Sequence, residues 1–371
     1  MLERQPYYHL RMPTSIESLQ LRRGVNFRMV FLSLSSRILV NVEALNMVES
    51  VGNISRHRRA TMILQMKDGF EKVEVPAISG ETIAHAYQES LVKVASAIYA
   101  GKPPICKWCL RGELFKEMDE RHMIDEVKNL KEEGEKYAHE FEKNVVKNCL
   151  VEDVGGFLKA EAPPVRRTSR FQVSYMVPAV DAAIYSNLEA QFHARHAPSE
   201  PTKTEEARAA QMIYYVETGS AIYSLMFNLD IDSIGYTSLV EKALTVDEEE
   251  RKRRIQVALG ALLNLFSSSD YGAKRSRFLP FMETKSLLLA ISHPLPFTPL
   301  PPMTRQYIRD TIDKMTNFTK AYEKLKLEET VRLYAFSKEV TIEKVPSVEP
   351  VNSVEEAFNK AMDYVNEQLK L

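Results

Sequence analysis

The sequence predicts an α+β protein with a ferredoxin-like core and insertions between its elements. Two observations predict it. Strand-like alternation of apolar and polar residues recurs along the whole chain, and two amphipathic helical stretches interrupt it. A third observation sets the insertions: residues 105–150 are rich in Glu and Lys with scattered apolar residues, which reads as helix rather than more sheet.

Each element has its own signal. Arg37 to Leu45 alternates Ile38, Val40 and Val42 with Asn41 and Glu43, the pattern of a half-buried strand. Thr61 to Met66 and Phe70 to Val75 flank Lys67-Asp68-Gly69, and Asp-Gly between such runs signals a hairpin. Ser79 then caps a helix whose apolar positions Ile83, Tyr87, Leu91, Val94 and Ile98 share one face; Gly101 and Pro103-Pro104 end it. Phe171, Val173, Tyr175 and Val177 alternate, as do Tyr223, Leu225, Phe227 and Leu229. The polar stretch Pro198 to Arg208 between them reads as exposed and mobile. A helix over 248–266 buries Ile255, Ala258, Leu259, Leu262, Leu263 and Phe266. A strand at Lys285 to Ser292, a helix near 304–327 and a strand near 330–341 follow. The last helix opens with the capping box Ser353-Val354-Glu355-Glu356.

Composition bounds the function. The chain has 371 residues, 44% of them apolar, enough for one large or two ordinary domains. Its formal net charge is -1, so basic clusters are local and are offset by acidic stretches such as Asp247 to Glu250. That balance excludes diffuse coating of nucleic acid and permits a basic groove on one face. No run of about 18 apolar residues occurs. Basic residues scattered through the first 28 positions do not read as a secretory signal, so a cytoplasmic protein without membrane contact is expected. Three cysteines make no disulfide framework. Cys106-Lys107-Trp108-Cys109 has zinc-knuckle spacing, with His122, His139 and Cys149 as completing ligands. A second short-spaced pair is missing, and an ordinary pair of loop cysteines is the expected reading, with no metal or cofactor.

Four separated segments carry the chemistry. They are Gly52-Asn53-Ile54-Ser55-Arg56-His57-Arg58-Arg59, Ile78-Ser79-Gly80-Glu81-Thr82, Pro164-Val165-Arg166-Arg167-Thr168-Ser169-Arg170 and Gly272-Ala273-Lys274-Arg275-Ser276-Arg277-Phe278. Each joins cationic side chains or helix-opening amides to small residues, so each can set donors against phosphate oxygens. Gly52 and Asn53 permit positive φ and a sharp turn. Ser79 and Gly80 open a helix, where an anion site competes with a plain N-cap. Arg166, Arg167 and Arg170 follow two prolines that stiffen their approach and make the strongest phosphate clamp; exposed cations of this kind can be cut to Ala without unfolding the chain. Lys274, Arg275 and Arg277 follow Tyr271-Gly272, an aromatic platform beside cations. Phe278, which opens an apolar run, reads as core.

These residues resemble a known family, the DevR-like repeated backbone subunit of the archaeal type I-A CRISPR surveillance complex, Cascade. The likeness is carried by Asn41-Val42-Glu43-Ala44-Leu45-Asn46, Ser55 to Arg58, Val75 to Glu81, Asp153-Val154-Gly155-Gly156-Phe157, Pro164 to Arg170, Gln191-Phe192-His193-Ala194-Arg195 and Lys274 to Pro280. It runs in one order from about Met29 onward. The resemblance implies an RNA-recognition-motif-like palm (29–104 and 213–345), a helical insertion (105–150), a protruding thumb (151–212) and a C-terminal helix (346–371), after an extension over 1–28. In the family the thumb touches guide RNA and neighbouring subunits.

The resemblance also implies partners: CRISPR guide RNA, target DNA through that guide, and copies of the chain in a head-to-tail filament. A smaller Cascade subunit, a guide-processing subunit and a helicase-nuclease complete the set. Catalysis is not expected. Asp153, Glu43, His57, His85 and His193 are the available acid–base groups, and none sits in a hydrolytic spacing. In the related type III subunits a loop carboxylate cuts RNA, which marks Asp153 and Glu161 for a metal-dependent RNase alternative. The outsider is a free single-strand RNA-binding protein.

Overall fold

The computed structural model describes residues 29–113, 121–131, 133–194, 213–328 and 330–369. The expected N-terminal extension, Arg195 and the polar stretch Pro198 to Arg208 lie outside the described residues. In chain order the elements are β1 (Phe31–Glu43), β2 (Met47–Val51), β3 (Ile54–His57), the hairpin β4 (Arg59–Met66) and β5 (Gly69–Pro76), and α1 (Gly80–Ile98). Then come α2 (Gly134–Asn148), α3 (Leu150–Gly155), the short hairpin β6 (Phe157–Lys159) and β7 (Val165–Arg167), β8 (Phe171–Val173), β9 (Val177–Pro178) and β10 (Asn187–Ala194). The chain continues through β11 (Ile213–Asp230), α4 (Glu248–Ser268), β12 (Phe281–His293), α5 (Tyr307–Lys324), β13 (Thr330–Ser337), β14 (Val348–Pro350) and α6 (Val354–Leu369).

A large mixed sheet runs in the order β14-β13-β12-β1-β11-β3-β2, and β8, β9 and β10 also pair with β11. Central β1 is antiparallel to both β11 and β12. It is buried almost without interruption because both sheet faces are covered. On one face Leu32, Leu34, Ile38 and Val40 pack with Ile83, Tyr87 and Leu91 of α1, Ile255 to Leu265 of α4 and Phe358 of α6. On the other, α5 closes over Leu288 and Ala290 of β12 and Leu333 and Ala335 of β13 through Tyr307, Ile308 and Met315. Helices α1 and α4 lie side by side, joined by the Tyr87 hydroxyl donating to the Ala258 carbonyl at 2.9 Å and Ser90 to that of Ala261 at 3.0 Å.

Most expected elements are present, and the differences have physical causes. Val42 does not face the core. It takes φ 55° and is exposed, and the β1–β11 register shifts between Val40 and Glu43. Such a slip exchanges the two faces of a strand, so Glu43 goes inward. Ile98, expected on the apolar face of α1, is exposed as the last residue of the helix. The strand expected over 171–177 is split into β8 and β9, both paired with β11. β8, β9 and β10 all belong to the main sheet, although their residues fall in the span expected to form a thumb. Residues 105–150 hold α2 and two single 3₁₀ turns, with no strand among the described residues. Half of the final capping box forms: Glu356 N–H donates to Ser353 Oγ at 3.1 Å, while the Glu356 carboxylate reaches past Ser353 and accepts from Asn352 N–H at 2.8 Å.

Candidate nucleic-acid interface

Three of the four basic or helix-opening segments meet at one open groove of about 550 Å³, lined among others by Arg58, Ser79, His85, Gly272 and Ala273. Local geometry brings them there. Asn46, in the turn after β1, accepts from Arg58 Nε at 3.1 Å and from Ser79 N–H at 2.7 Å with the same side-chain oxygen. Ala273 N–H donates to the neighbouring Leu45 carbonyl at 2.8 Å. The turn after β1 is thus the hub for segments 12, 33 and 228 residues away in sequence. Gly272 is required for this approach: with φ 85°, a Cβ there would lie 2.6 Å from Leu45 Cβ.

In the first segment, Gly52 (φ 61°) and Asn53 form the exposed β2–β3 turn, and Ser55 sits half-buried in β3. Arg56 is exposed beside Glu49 at 3.6 Å, and Arg59 is shared between Glu217 at 2.9 Å and Glu74 at 3.4 Å. His57 is corrected from ligand to scaffold, because only 2% of it is exposed. Its Nδ1 lies 2.7 Å from the Arg58 carbonyl and its Nε2 2.6 Å from Glu43. Burial alone would lower the imidazole pKa, but the Glu43 carboxylate and the Arg58 carbonyl outweigh it and hold it above the ordinary histidine value. Glu43 also accepts from the Tyr223 hydroxyl at 2.7 Å. The register slip at Val42 is therefore what seats this buried cluster.

Ser79 and Gly80 are also corrected. Both are buried, and Ser79 Oγ accepts from Thr82 N–H at 3.3 Å, so Ser79 is a plain N-cap. A Cβ on Gly80 would lie 3.2 Å from the Val173 carbonyl, which covers this helix start. The segment lines the groove through Ser79, Glu81 and Thr82.

The third segment does not reach the groove. Arg166 is exposed on β7, but Arg167 is 3% exposed and is withdrawn as a phosphate clamp. Its guanidinium donates to Glu142 at 2.7 Å, to Asp153 at 2.5 Å and to the Tyr236 carbonyl at 2.8 Å. Asp153 also accepts from Arg254 at 2.9 Å and from Gly235 N–H at 2.9 Å, so it too is enclosed by partners of its own. Glu142 is lowered below the usual carboxylate range: burial opposes ionisation, but the Ser238 and Leu239 amides and Arg167 favour it more. Arg170 is half-buried, donating to Ser238 Oγ at 2.8 Å; burial and neighbouring Arg167 lower its pKa to about 10, so it stays charged near neutrality. The expectation that all three arginines can be removed without unfolding the chain fails at Arg167.

In the fourth segment Arg275 pairs with Asp270, which also pairs with Lys93. Lys274 and Arg277 remain on the surface side; burial and the adjacent Arg277 lower the Lys274 pKa. Tyr271 is not a platform, since it is 6% exposed and buried against Glu43. The aromatic surface is instead His193 stacked on Tyr214 (5.1 Å, 22°), edged by half-buried Phe278 at 5.3 Å, with Arg277 donating to the Tyr214 hydroxyl at 3.2 Å. Sequence reasoning missed Tyr214, because only the β10–β11 register sets it against His193. The groove is also more mixed in charge than expected, with Glu81, Glu89 and Asp270 in its wall. No described helix is long and apolar enough to cross a membrane.

Fold and surface together define an α+β protein whose sheet and helices frame a mixed-charge groove with an aromatic stack and exposed cations near it. Comparison with known proteins sharpens that class. Residues 34–312 match the family model described as CRISPR-associated negative auto-regulator DevR/Csa2. Two relatives come from Saccharolobus solfataricus: "CRISPR-associated aCascade subunit Cas7/Csa2 2", 38% identical over 76% of this chain and 85% of its own length, and "CRISPR-associated protein Cas7/Csa2 1", 37% identical over 80% and 89%. A chain of a solved "CRISPR RNA-guided surveillance complex, pre-nicking" superposes with a TM-score of 0.50 over 90% of this chain and 99% of that one, at 9% identity. The chain belongs to the DevR/Csa2 family of CRISPR-associated proteins.

Proposed function

We propose that this protein is the repeated backbone subunit of a type I-A Cascade, a non-catalytic protein that holds CRISPR RNA by its phosphates and presents the bases to target DNA in antiviral defence. The observation that carries the reading is the convergence of distant segments on one groove lined by Arg58, with exposed Arg56 and Arg59 flanking Arg58 in sequence and Lys274 and Arg277 following the lining residues Gly272 and Ala273, where Arg277 donates to Tyr214 of the His193–Tyr214 stack. Phosphate contacts hold register without reading sequence, which suits a scaffold that must accept any guide. The aromatic stack suits bases splayed from a single strand. Arg166, on a separate face, suits contact with a neighbouring subunit or its RNA.

The reading includes a ferredoxin-like palm (29–104 and 213–345), supported by antiparallel β12, β1 and β11 with α1 and α4 in the crossovers on one face. It includes an insertion at 105–150, a thumb over 151–212 that lends β8–β10 to the palm sheet, and a C-terminal helix at 346–371. Copies of the chain assemble head to tail, a heterologous contact that does not close and so makes a filament. The smaller Cascade subunit, the guide-processing subunit and the helicase-nuclease are partners on family grounds. Cleavage is not part of the proposal: Glu43, His57 and Asp153 are enclosed by partners of their own, which removes three of the five acid–base candidates.

The test is co-expression with a CRISPR array and purification through the chain. Filaments carrying guide RNA of one defined length are expected. A mixture of cellular RNAs of all lengths would overturn the reading in favour of a free RNA-binding protein, and a monomer free of RNA would overturn it outright.

A further inference from the structure

A side-chain cluster that the groove does not use ties the 105–150 segment to the start of α3. Cys106 and Cys109 lie in the loop after α1, Cys149 at the junction of α2 and α3, and Glu152 in the first turn of α3. All four are buried, at 9%, 1%, 0% and 1% exposure. One ligand atom from each, three Sγ and a carboxylate oxygen, falls within 4.8 Å of the others. We propose that these four residues form a structural zinc site that clamps the 105–113 loop onto the α2–α3 junction.

Geometry, donor chemistry and local hydrogen bonding agree. A tetrahedron with Zn–S bonds of about 2.3 Å has edges of about 3.8 Å, so the four atoms are already near the required spacing. The ligands come as two short-spaced pairs, Cys106-x-x-Cys109 and Cys149-x-x-Glu152. Glu152 supplies the partner that a search for cysteine and histidine alone does not find. His122 and His139 are not needed: His122 packs on Trp108 at 4.8 Å, and His139 faces Glu241 at 3.5 Å. Backbone amides point at the sulfurs, Cys109 N–H to Cys106 Sγ and Cys106 N–H to Cys149 Sγ, both at 3.4 Å. Such donors stabilise thiolate ligands. Cys109 Sγ donates to Glu152 Oε1 at 3.1 Å, so thiol and carboxylate already face one another; zinc between them would displace that proton to solvent.

Three thiolates favour zinc over hard cations, and four protein ligands leave no open position, which makes the site structural rather than catalytic. Lys107 and Arg111, both held over the Trp108 ring, belong to the same loop and offset the negative charge that the ligands bring. The loop has need of such a clamp. Among the described residues its regular structure is the three-residue 3₁₀ turn Cys109–Arg111, and a main-chain bond to the helices, Leu150 N–H to the Pro104 carbonyl at 2.8 Å, lies just before it.

The test uses the full chain, purified without chelator, and reads metal content independently of RNA. Elemental analysis is expected to find about one zinc per chain. A thiol-specific mercurial should release that zinc as it consumes the three cysteines. Cobalt substitution should give thiolate-to-metal charge transfer with tetrahedral ligand-field bands, and Glu152→Gln should shift those bands. The double variant Cys106→Ser/Cys109→Ser, with its helix content checked by circular dichroism, should lose the metal. Metal-free protein, iron in place of zinc, a Cys106–Cys109 disulfide, or zinc that survives complete thiol modification would each overturn the assignment.

Discussion

At the residue scale, the arginines and acids that look most like ligands in sequence divide by burial. Arg167, Arg254, Glu142 and Asp153 form an internal ion-pair network with no side-chain exposure. Removing one member of a buried pair strands the other, which typically costs about 3–5 kcal/mol. Asp153→Ala is therefore expected to destabilise the fold by that order in chemical denaturation, whereas Arg166→Ala should stay within about 0.5 kcal/mol of the parent. Equal stability of Asp153→Ala and the parent would contradict the network's role. His57 makes a pH prediction. Its folded pKa is raised, so the stability it contributes is fully present below the unfolded value of 6.5 and is lost as pH rises through the folded one. The melting-temperature gap between the parent and His57→Gln should be widest near about pH 6 and narrow by about pH 9. A gap that widened with pH would mean the imidazole is neutral in the folded protein.

At the element scale, the β4–β5 hairpin stands apart from the main sheet as a separate two-stranded ribbon. It exposes Ile63 (70%), Phe70 (76%) and Met66 (47%) around its turn. Apolar residues grouped in this way mark contact surfaces more often than scattered single ones do. Ile63→Ser/Phe70→Ser is expected to leave the monomer within about 0.5 kcal/mol of its parent stability, while shortening RNA-bound filaments seen by electron microscopy. Filaments of parental length would place the subunit contact elsewhere. Lys274→Ala/Arg277→Ala acts on another element, the turn before β12. It should weaken guide RNA binding by about 1–3 kcal/mol for each cation–phosphate hydrogen bond removed, read by filter binding against an unchanged melting temperature.

At the scale of the whole molecule, a net charge of -1 means that any RNA affinity comes from one face and not from the chain as a whole. Affinity should fall steeply with salt, with a log–log slope of about -0.7 per single-strand phosphate neutralised. It should change little among unrelated spacers of equal length. A strong spacer preference would mean that the groove reads bases. With Mg²⁺ or Mn²⁺ present, guide and complementary RNA should stay intact on a denaturing gel. Cuts at regular intervals along the RNA would instead reveal one active site per copy.

Most of the elements, the β4–β5 hairpin (its turn at Lys67-Asp68, one residue before the Asp-Gly centre), the caps at Ser79 and Ser353 and the family itself were legible in the sequence, because periodicity, capping and turn chemistry act over a few residues. The local nature of the basic clusters was legible as well, from charge balance alone. Which cations face solvent was not. Arg166 and Arg167 are adjacent and chemically identical, yet they point to opposite faces of β7, and only packing against α2 and α3 decides which one is buried. The inward turn of Glu43 follows from a one-residue slip at Val42, the Tyr214–His193 stack from the register of β10 on β11, and the meeting of Cys149 and Glu152 with Cys106 and Cys109 from a helix junction some 40 residues downstream. Long-range contacts of this kind leave no local pattern. The residue types came from the sequence; burial and register, which exist only once distant segments pack, assigned them their roles.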